Sequence, residues 1–167
     1  QAMSDAAGKV AYGYDDRGRL NRVQRQGAPA VGYAYDTQNR ITRLQVGDFH
    51  LLDYSYDFLG RLESIKTPAG VVQYEYQTGP GRVVRTLPNG IRTIREYEPN
   101  GQLKQITHAD ARNAILAQYT YQYRTDGRIA AIREVNGGQQ AVKSYEYDLV
   151  GRLVKASGPS GQQAYEY

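Results

Sequence analysis

Apolar and polar residues alternate with a period of two over much of the chain, and short clusters of glycine, proline, aspartate and asparagine interrupt the alternation. In YSYDFLGRLESI, residues 54–65, Tyr54 and Tyr56 project from one face of an extended strand, while Ser55 and Asp57 point to the other. DFLG follows, with aspartate first and glycine fourth, the residue preference of a type I turn closed by a left-handed glycine bulge. Arg61 and Leu62 then begin a return strand that runs to about Ile65, and TPAG at 67–70 turns the chain again. The pattern predicts a β-hairpin.

The same pattern recurs as YGYDDRGRLNRV from Tyr12, YAYDTQNRITRL from Tyr33, YEYQTGPGRVVRT from Tyr74, REYEPNGQLKQI from Arg95, YQYRTDGRIAAI from Tyr121 and YEYDLVGRLVKA from Tyr145, with a final YEY at Tyr165. Taking the second aromatic as marker gives Tyr14, Tyr35, Tyr56, Tyr76, Tyr97, Tyr123, Tyr147 and Tyr167, spaced by 21, 21, 20, 21, 26, 24 and 20 residues. A period in this range decides the architecture before any single residue is interpreted. One period is two strands and two turns, and second turns are predicted at RQGAP (25–29), LPNG (87–90) and VNGG (135–138) as well as TPAG. Residues 1–9 read as a lead-in, and 10–167 as the repeat array, about seven units and a truncated eighth. The longest interval contains THADARNA, read as the widened tip of a hairpin between longer strands, with room for a short helical turn.

The recurring side chains have structural roles on this reading. Asp15, Asp36, Asp57 and Asp148 each stand four residues before Arg19, Arg40, Arg61 and Arg152, so the turn brings the two together as a shallow ion pair or lets the carboxylate cap turn amides. Gly18, Gly60 and Gly151 supply the left-handed position. The pairs Tyr12 and Tyr14, Tyr33 and Tyr35, Tyr54 and Tyr56, and Tyr145 and Tyr147 stack as a ladder against Leu20, Ile41, Leu62, Val83, Leu103, Ile129 and Leu153 of the return strands, each hydroxyl reaching water or a polar wall. Because the bulge shifts the pleat, alternation alone leaves open which face those aliphatics share. The competing use of the rings is a platform for a sugar or a base.

Composition supports repetition over a compact catalytic domain: 18 glycines and a mean hydropathy of -0.68 leave little material for a large core. Without cysteine there is neither a disulfide framework nor a thiolate metal site. His50 and His108 stand alone, without the spacing of a metal centre, and read as surface or packed imidazoles. No GxSxG, GxxxxGK, HExxH or calcium-loop motif occurs, and no apolar run approaches a membrane span. The net charge of +4 raises nucleic acid as a partner, but many arginines sit beside an aspartate and form no open basic stripe, so no nucleic-acid partner is expected. No catalytic residue, cofactor or metal ligand is assigned.

The recurrent YxYDxxGRL resembles the signature of the RHS/YD-repeat family of bacterial Rhs polymorphic toxins, insecticidal Tc toxin components and teneurins, from about Val10 onward. LPNGIRT (87–93) and ITHADARNAILAQYTYQY (106–123) are similar to connecting segments of that family. The resemblance implies an all-β fold, a repetitive antiparallel β-hairpin sheet forming a segment of a spiralling shell. In bacterial members that shell encloses a toxic C-terminal polypeptide; in teneurins it is an extracellular scaffold. The aspartyl self-cleavage element that follows the repeats in many members has DPxGL-like motifs, and this sequence has no Asp-Pro pair. The expected function is therefore structural, a shell fragment that encloses or scaffolds a toxin or effector in a secreted or cell-surface protein, and not an enzyme. Its expected partners are the rest of the shell and the enclosed polypeptide. The alternative is a carbohydrate- or cell-surface-binding module using exposed tyrosines.

Overall fold

A computed structural model of the chain describes residues 2–5, 8–77 and 81–167. The chain divides into two units, one up to Gln73 and one from Tyr74, with the division inside a strand. The first unit contains β1 (Ala2–Asp5), β2 (Gly8–Tyr14), β3 (Leu20–Arg25), β4 (Val31–Tyr35), β5 (Ile41–Val46), β6 (Phe49–Tyr56), β7 (Leu62–Thr67) and the start of β8 (Gly70–Gln77). The second continues through β9 (Arg82–Thr86), β10 (Arg92–Tyr97), β11 (Leu103–Ala109), β12 (Ile115–Tyr123), β13 (Ile129–Asn136), β14 (Gln139–Tyr147), β15 (Leu153–Gly158) and β16 (Gly161–Ala164). Within each unit every strand pairs antiparallel with its neighbours in sequence, a meander built of hairpins. No helix occurs among the described residues.

Each unit is a single layer, which is what so small an apolar content permits. Among residues whose burial is described, none in the first unit is buried, and in the second only Val84, Thr93, Thr107 and Ala109 are. The two faces nonetheless differ in chemistry, because alternation sorts them. Cross-strand pairs put Tyr12 opposite Val23, Tyr33 opposite Leu44, Leu44 opposite Leu52, Tyr54 opposite Ile65 and Ile65 opposite Val72 on one face. The other face carries pairs such as Arg43 with Asp53 and Ser55 with Ser64.

The turns come in two forms. A five-residue turn joins β2 to β3, in which the amide of Asp15 donates to the carbonyl of Arg19 and the amide of Gly18 to that of Asp15. The same pair of bonds closes the turns beginning at Asp36, Asp57, Leu87, Glu98, Asp110, Arg124 and Asp148. The fourth position is left-handed throughout, with φ of 82° at Gly60, and where the sequence has no glycine, asparagine takes it: Asn39 at 63° and Asn113 at 66°. Tight two-residue connections join other strands, as at Pro68 and Ala69 between β7 and β8 and at Gly137 and Gly138 between β13 and β14, whereas the four successive connections from β9 to β13 are all of the five-residue form.

Two readings of the sequence need correction. LPNG, at the place of a second turn, has the hydrogen bonding of the first kind, because glycine stands at its fourth position and proline at its second. The THADARNA segment holds no helical turn: its added length goes into a five-residue turn, Asp110 to Ala114, and into β11 and β12, of 7 and 9 residues. Asp110 explains this, since its carboxylate takes the amides of Arg112 and Ala114, both at 2.8 Å, a local closure that competes with helix formation. Residues 78–80, where the sequence pattern predicts a turn, lie outside the described residues, as does the side chain of His50.

Candidate functional site

The repeated residues assemble into one device, used several times. In the turn after β2, Asp15 Oδ1 accepts the amides of Arg17 at 3.0 Å and Arg19 at 2.9 Å, and Oδ2 accepts Arg19 Nε at 2.7 Å. The carboxylate thus caps the turn and pairs with the arginine at once. Asp36 does the same with Gln38 and Arg40, Asp57 with Leu59 and Arg61, and Asp148 with Val150 and Arg152.

These bonds lower the carboxylate pKa. For Asp15, Asp36 and Asp148 the largest cause is the amide of the paired arginine, which favours the charged form. For Asp57 the largest cause is desolvation, which pushes upward, but the amide and guanidinium of Arg61 outweigh it.

Among the described five-residue turns three lack aspartate at the first position, and there the cap moves. Asn89 Oδ1 accepts the amide of Ile91 at 3.1 Å, Asn100 Oδ1 that of Gln102 at 3.0 Å, and Asp126 Oδ1 that of Arg128 at 3.1 Å. Asp126 also pairs with Arg124 and Arg128, at 3.2 and 3.1 Å. The aspartate period did not point to these caps; the PNG and TDG triplets could have.

Arg19, Arg40, Arg128 and Arg152 then reach the second tyrosine of the next repeat. Arg19 Nη1 donates to the carbonyl of Asp36 and to Asn39 Oδ1, both at 2.9 Å, and its Cζ lies 4.7 Å from the ring centroid of Tyr35. Arg40 covers Tyr56 at 4.3 Å, Arg128 covers Tyr147 at 5.6 Å, and Arg152 covers Tyr167 at 4.9 Å. Glycine leaves room for this approach. A Cβ on Gly60 would meet Arg40 Nη1 at 3.2 Å, and at Gly151 the guanidinium of Arg128 fills the place a Cβ would take. A Cβ on Gly18 would meet nothing within 4 Å.

The tyrosines complete the link. Tyr14, Tyr35, Tyr56, Tyr97, Tyr123 and Tyr147 stand opposite Leu20, Ile41, Leu62, Leu103, Ile129 and Leu153 in register, each at a bulge, so the second tyrosine and the aliphatic share a face. Four of these hydroxyls reach one unit back and end on backbone carbonyls. Tyr35 donates to Leu20 O at 2.7 Å, Tyr56 to Ile41 O at 2.8 Å, Tyr123 to Leu103 O at 2.7 Å and Tyr147 to Ile129 O at 3.0 Å. Desolvation raises the phenol pKa of Tyr56 and Tyr123. Tyr12, Tyr33, Tyr54 and Tyr145 sit two residues earlier on the same face, opposite Val23, Leu44, Ile65 and Ala156.

As chemistry, this arrangement ties hairpins together. Its carboxylates are ionised and bonded to donors, and its arginines are stacked, so it offers neither a proton shuttle nor an activated nucleophile. Among the described residues no cluster of three or more histidine and carboxylate groups could hold a metal ion. Among the described residues no helix is long and apolar enough to cross a membrane.

Comparison with known proteins agrees with this geometry. Residues 3–134 match the family model described as the teneurin YD-shell. Among curated proteins none matches. Of solved structures, a chain in the crystal structure of TcdB2-TccC3-Cdc42 superimposes with a TM-score of 0.74 at 17% identity, over 95% of this chain and 9% of that one. A chain of TcdB2-TccC3-TEV aligns over 99% of this chain and 13% of its own at 14% identity, with a TM-score of 0.35, and adds nothing. At such identity the first likeness shows a shared all-β fold.

Proposed function

Because the chain belongs to the teneurin YD-shell family, we propose that it is a stretch of wall, and that its work in the intact protein is to enclose or scaffold a C-terminal toxin or effector polypeptide. The mechanism is confinement. A single-layer sheet covers a large area with few residues, and a passenger behind it is kept from proteases and from its target until release. Its partners are then the rest of the shell and the passenger, and the protein that contains it is exported or displayed at a cell surface.

The observation that carries this reading is the coupling of successive hairpins through arginine, tyrosine and carbonyl. A wall needs every hairpin fixed to the next, and here the repeated side chains are spent on that task. On the same ground the chain itself performs no reaction, and any activity of the intact protein resides in another segment. The binding-module alternative draws less support, since arginine covers the rings of Tyr35 and Tyr56 and their hydroxyls are bound to carbonyls.

Limited proteolysis of the full-length protein tests confinement. Deleting residues 54–73, which brings Tyr74 to the place of Tyr54, should expose the passenger to protease while leaving the activity of the released passenger unchanged. Equal protection in both proteins counts against enclosure by this segment. Glycan binding lost on changing Tyr54 and Tyr56 to alanine would favour the binding module.

A further inference from the structure

Where the repeat is least regular, in β9 to β11, the tyrosine-bearing face changes character. Register places Arg85 opposite Thr93 and Thr93 opposite His108, and Arg95, two residues along β10, falls on the same face. Thr93 is only 2% exposed, and its hydroxyl joins an arginine and a histidine: Arg85 Nη2 donates to Oγ1 at 3.3 Å, and His108 Nδ1 lies 3.2 Å from it. The imidazole also stands edge-on to Tyr119, with ring centroids 6.2 Å apart.

Among the described residues no carboxylate is hydrogen-bonded or ion-paired to Arg85, Arg95 or His108. Arg85 Nε is buried and meets no acceptor; Arg82 Nε, on the opposite face, is likewise unbonded, but Glu96 Oε1 lies 3.9 Å from it. Among the described residues the Arg95 side chain makes no hydrogen bond or ion pair. The other strand residues sharing this face beside the cluster, Val83 and Ile106, are apolar. Asp110, in the following turn, spends Oδ1 on the amides of Arg112 and Ala114. Glu134, opposite Tyr119, is taken by Lys143 at 2.7 Å.

We propose that Arg85, Arg95 and His108, arranged about Thr93, form a binding site for an oxyanion, the carboxylate or phosphate of a ligand lying on the tyrosine face. Guanidinium forks suit such groups, and a partly desolvated cation gains most from a charged acceptor. Thr93 fixes the imidazole. With its oxygen accepting from Arg85, its hydroxyl hydrogen goes to His108 Nδ1, so the ring proton sits on Nε2, a further donor for the anion. The site does not depend on what the wall encloses.

The two imidazoles give the test, because His50 belongs to the other unit and serves as control. Their NMR resonances are followed while chloride is replaced by inorganic phosphate or by acetate at constant ionic strength. The His108 signal should shift saturably and the His50 signal should not. Saturation by phosphate alone, or by acetate, identifies which oxyanion the site prefers, and either supports it. Arg95→Gln should weaken binding by about tenfold, the loss of one charge-assisted contact, with an unchanged melting temperature, since that side chain has no protein partner to lose. No saturable shift of His108 with either anion, equal shifts of both histidines, or undiminished affinity in Arg95→Gln would overturn the assignment.

Discussion

Arg40 lies over the ring of Tyr56, its Cζ 4.3 Å from the centroid, while Asp36 of its own hairpin holds its Nε at 2.7 Å. One arginine therefore closes a turn and grips the next unit. A double-mutant cycle with Arg40→Gln and Tyr56→Leu should give a coupling energy of about 0.5–1 kcal/mol, the range for a partly exposed cation over an aromatic face. Urea unfolding of the four proteins measures it, and strict additivity would show that the contact contributes nothing.

The hydroxyl of Tyr56 makes a separate contribution. Its bond to Ile41 O crosses from one hairpin to the previous one at 2.8 Å. Tyr56→Phe keeps the ring under Arg40 but removes that bond, and should lower stability by about 0.5–1.5 kcal/mol. Tyr35→Phe, which loses the equivalent bond to Leu20 O, should behave alike, whereas Tyr14→Phe, half exposed in the first full unit, should cost less. Thermal melts of the three variants separate these cases.

Glycines that look equivalent in the sequence should respond differently. Gly18 and Gly151 both follow the DxxG pattern and both are left-handed, at 76° and 89°. An alanine at Gly18 enters open space and bears only the backbone penalty, roughly 1–2 kcal/mol. At Gly151 it must also displace Arg128, and with it the stacking on Tyr147. Gly151→Ala should therefore unfold at a clearly lower temperature than Gly18→Ala; equal melting temperatures would mean that Arg128 moves aside at no cost.

This contrast marks how far the sequence could be read. The hairpins, the five-residue turns and the pairing of Asp57 with Arg61 are contained in one repeat and visible in it, because each depends on residues a few positions apart. The grip of Arg40 on Tyr56 and the bond from Tyr56 to Ile41 O join neighbouring repeats, and periodicity fixes spacing but not how far one hairpin leans on the next. Register also settles what alternation left open, since the bulge brings Leu62 opposite Tyr56. The aspartate period missed Asn89, Asn100 and Asp126 as caps because they stand two positions from the expected aspartate, and only the local PNG and TDG triplets mark them. The Arg85, Thr93 and His108 cluster lies where the repeat decays, so no recurring pattern pointed to it.

The capping carboxylates make stability depend on pH in a defined direction. Asp15, Asp36, Asp57, Asp126 and Asp148 all have pKa values lowered from the ordinary 3.8 in the folded chain. A lowered folded value means that the unfolded chain takes up protons first, so the stabilisation is complete above the ordinary carboxylate value and is lost as pH falls through the lowered ones. The melting temperature should accordingly hold steady near neutrality and fall below about pH 4. Asp57→Asn keeps a side-chain oxygen for the amides of Leu59 and Arg61 but loses the charge facing Arg61. It should be less stable than the unaltered chain at pH 7, and the gap should narrow as pH falls, closing once Asp57 itself is protonated. A gap of constant size from pH 7 down to pH 2 would show that Asp57 acts through turn geometry alone, with its pairing to Arg61 contributing no stability.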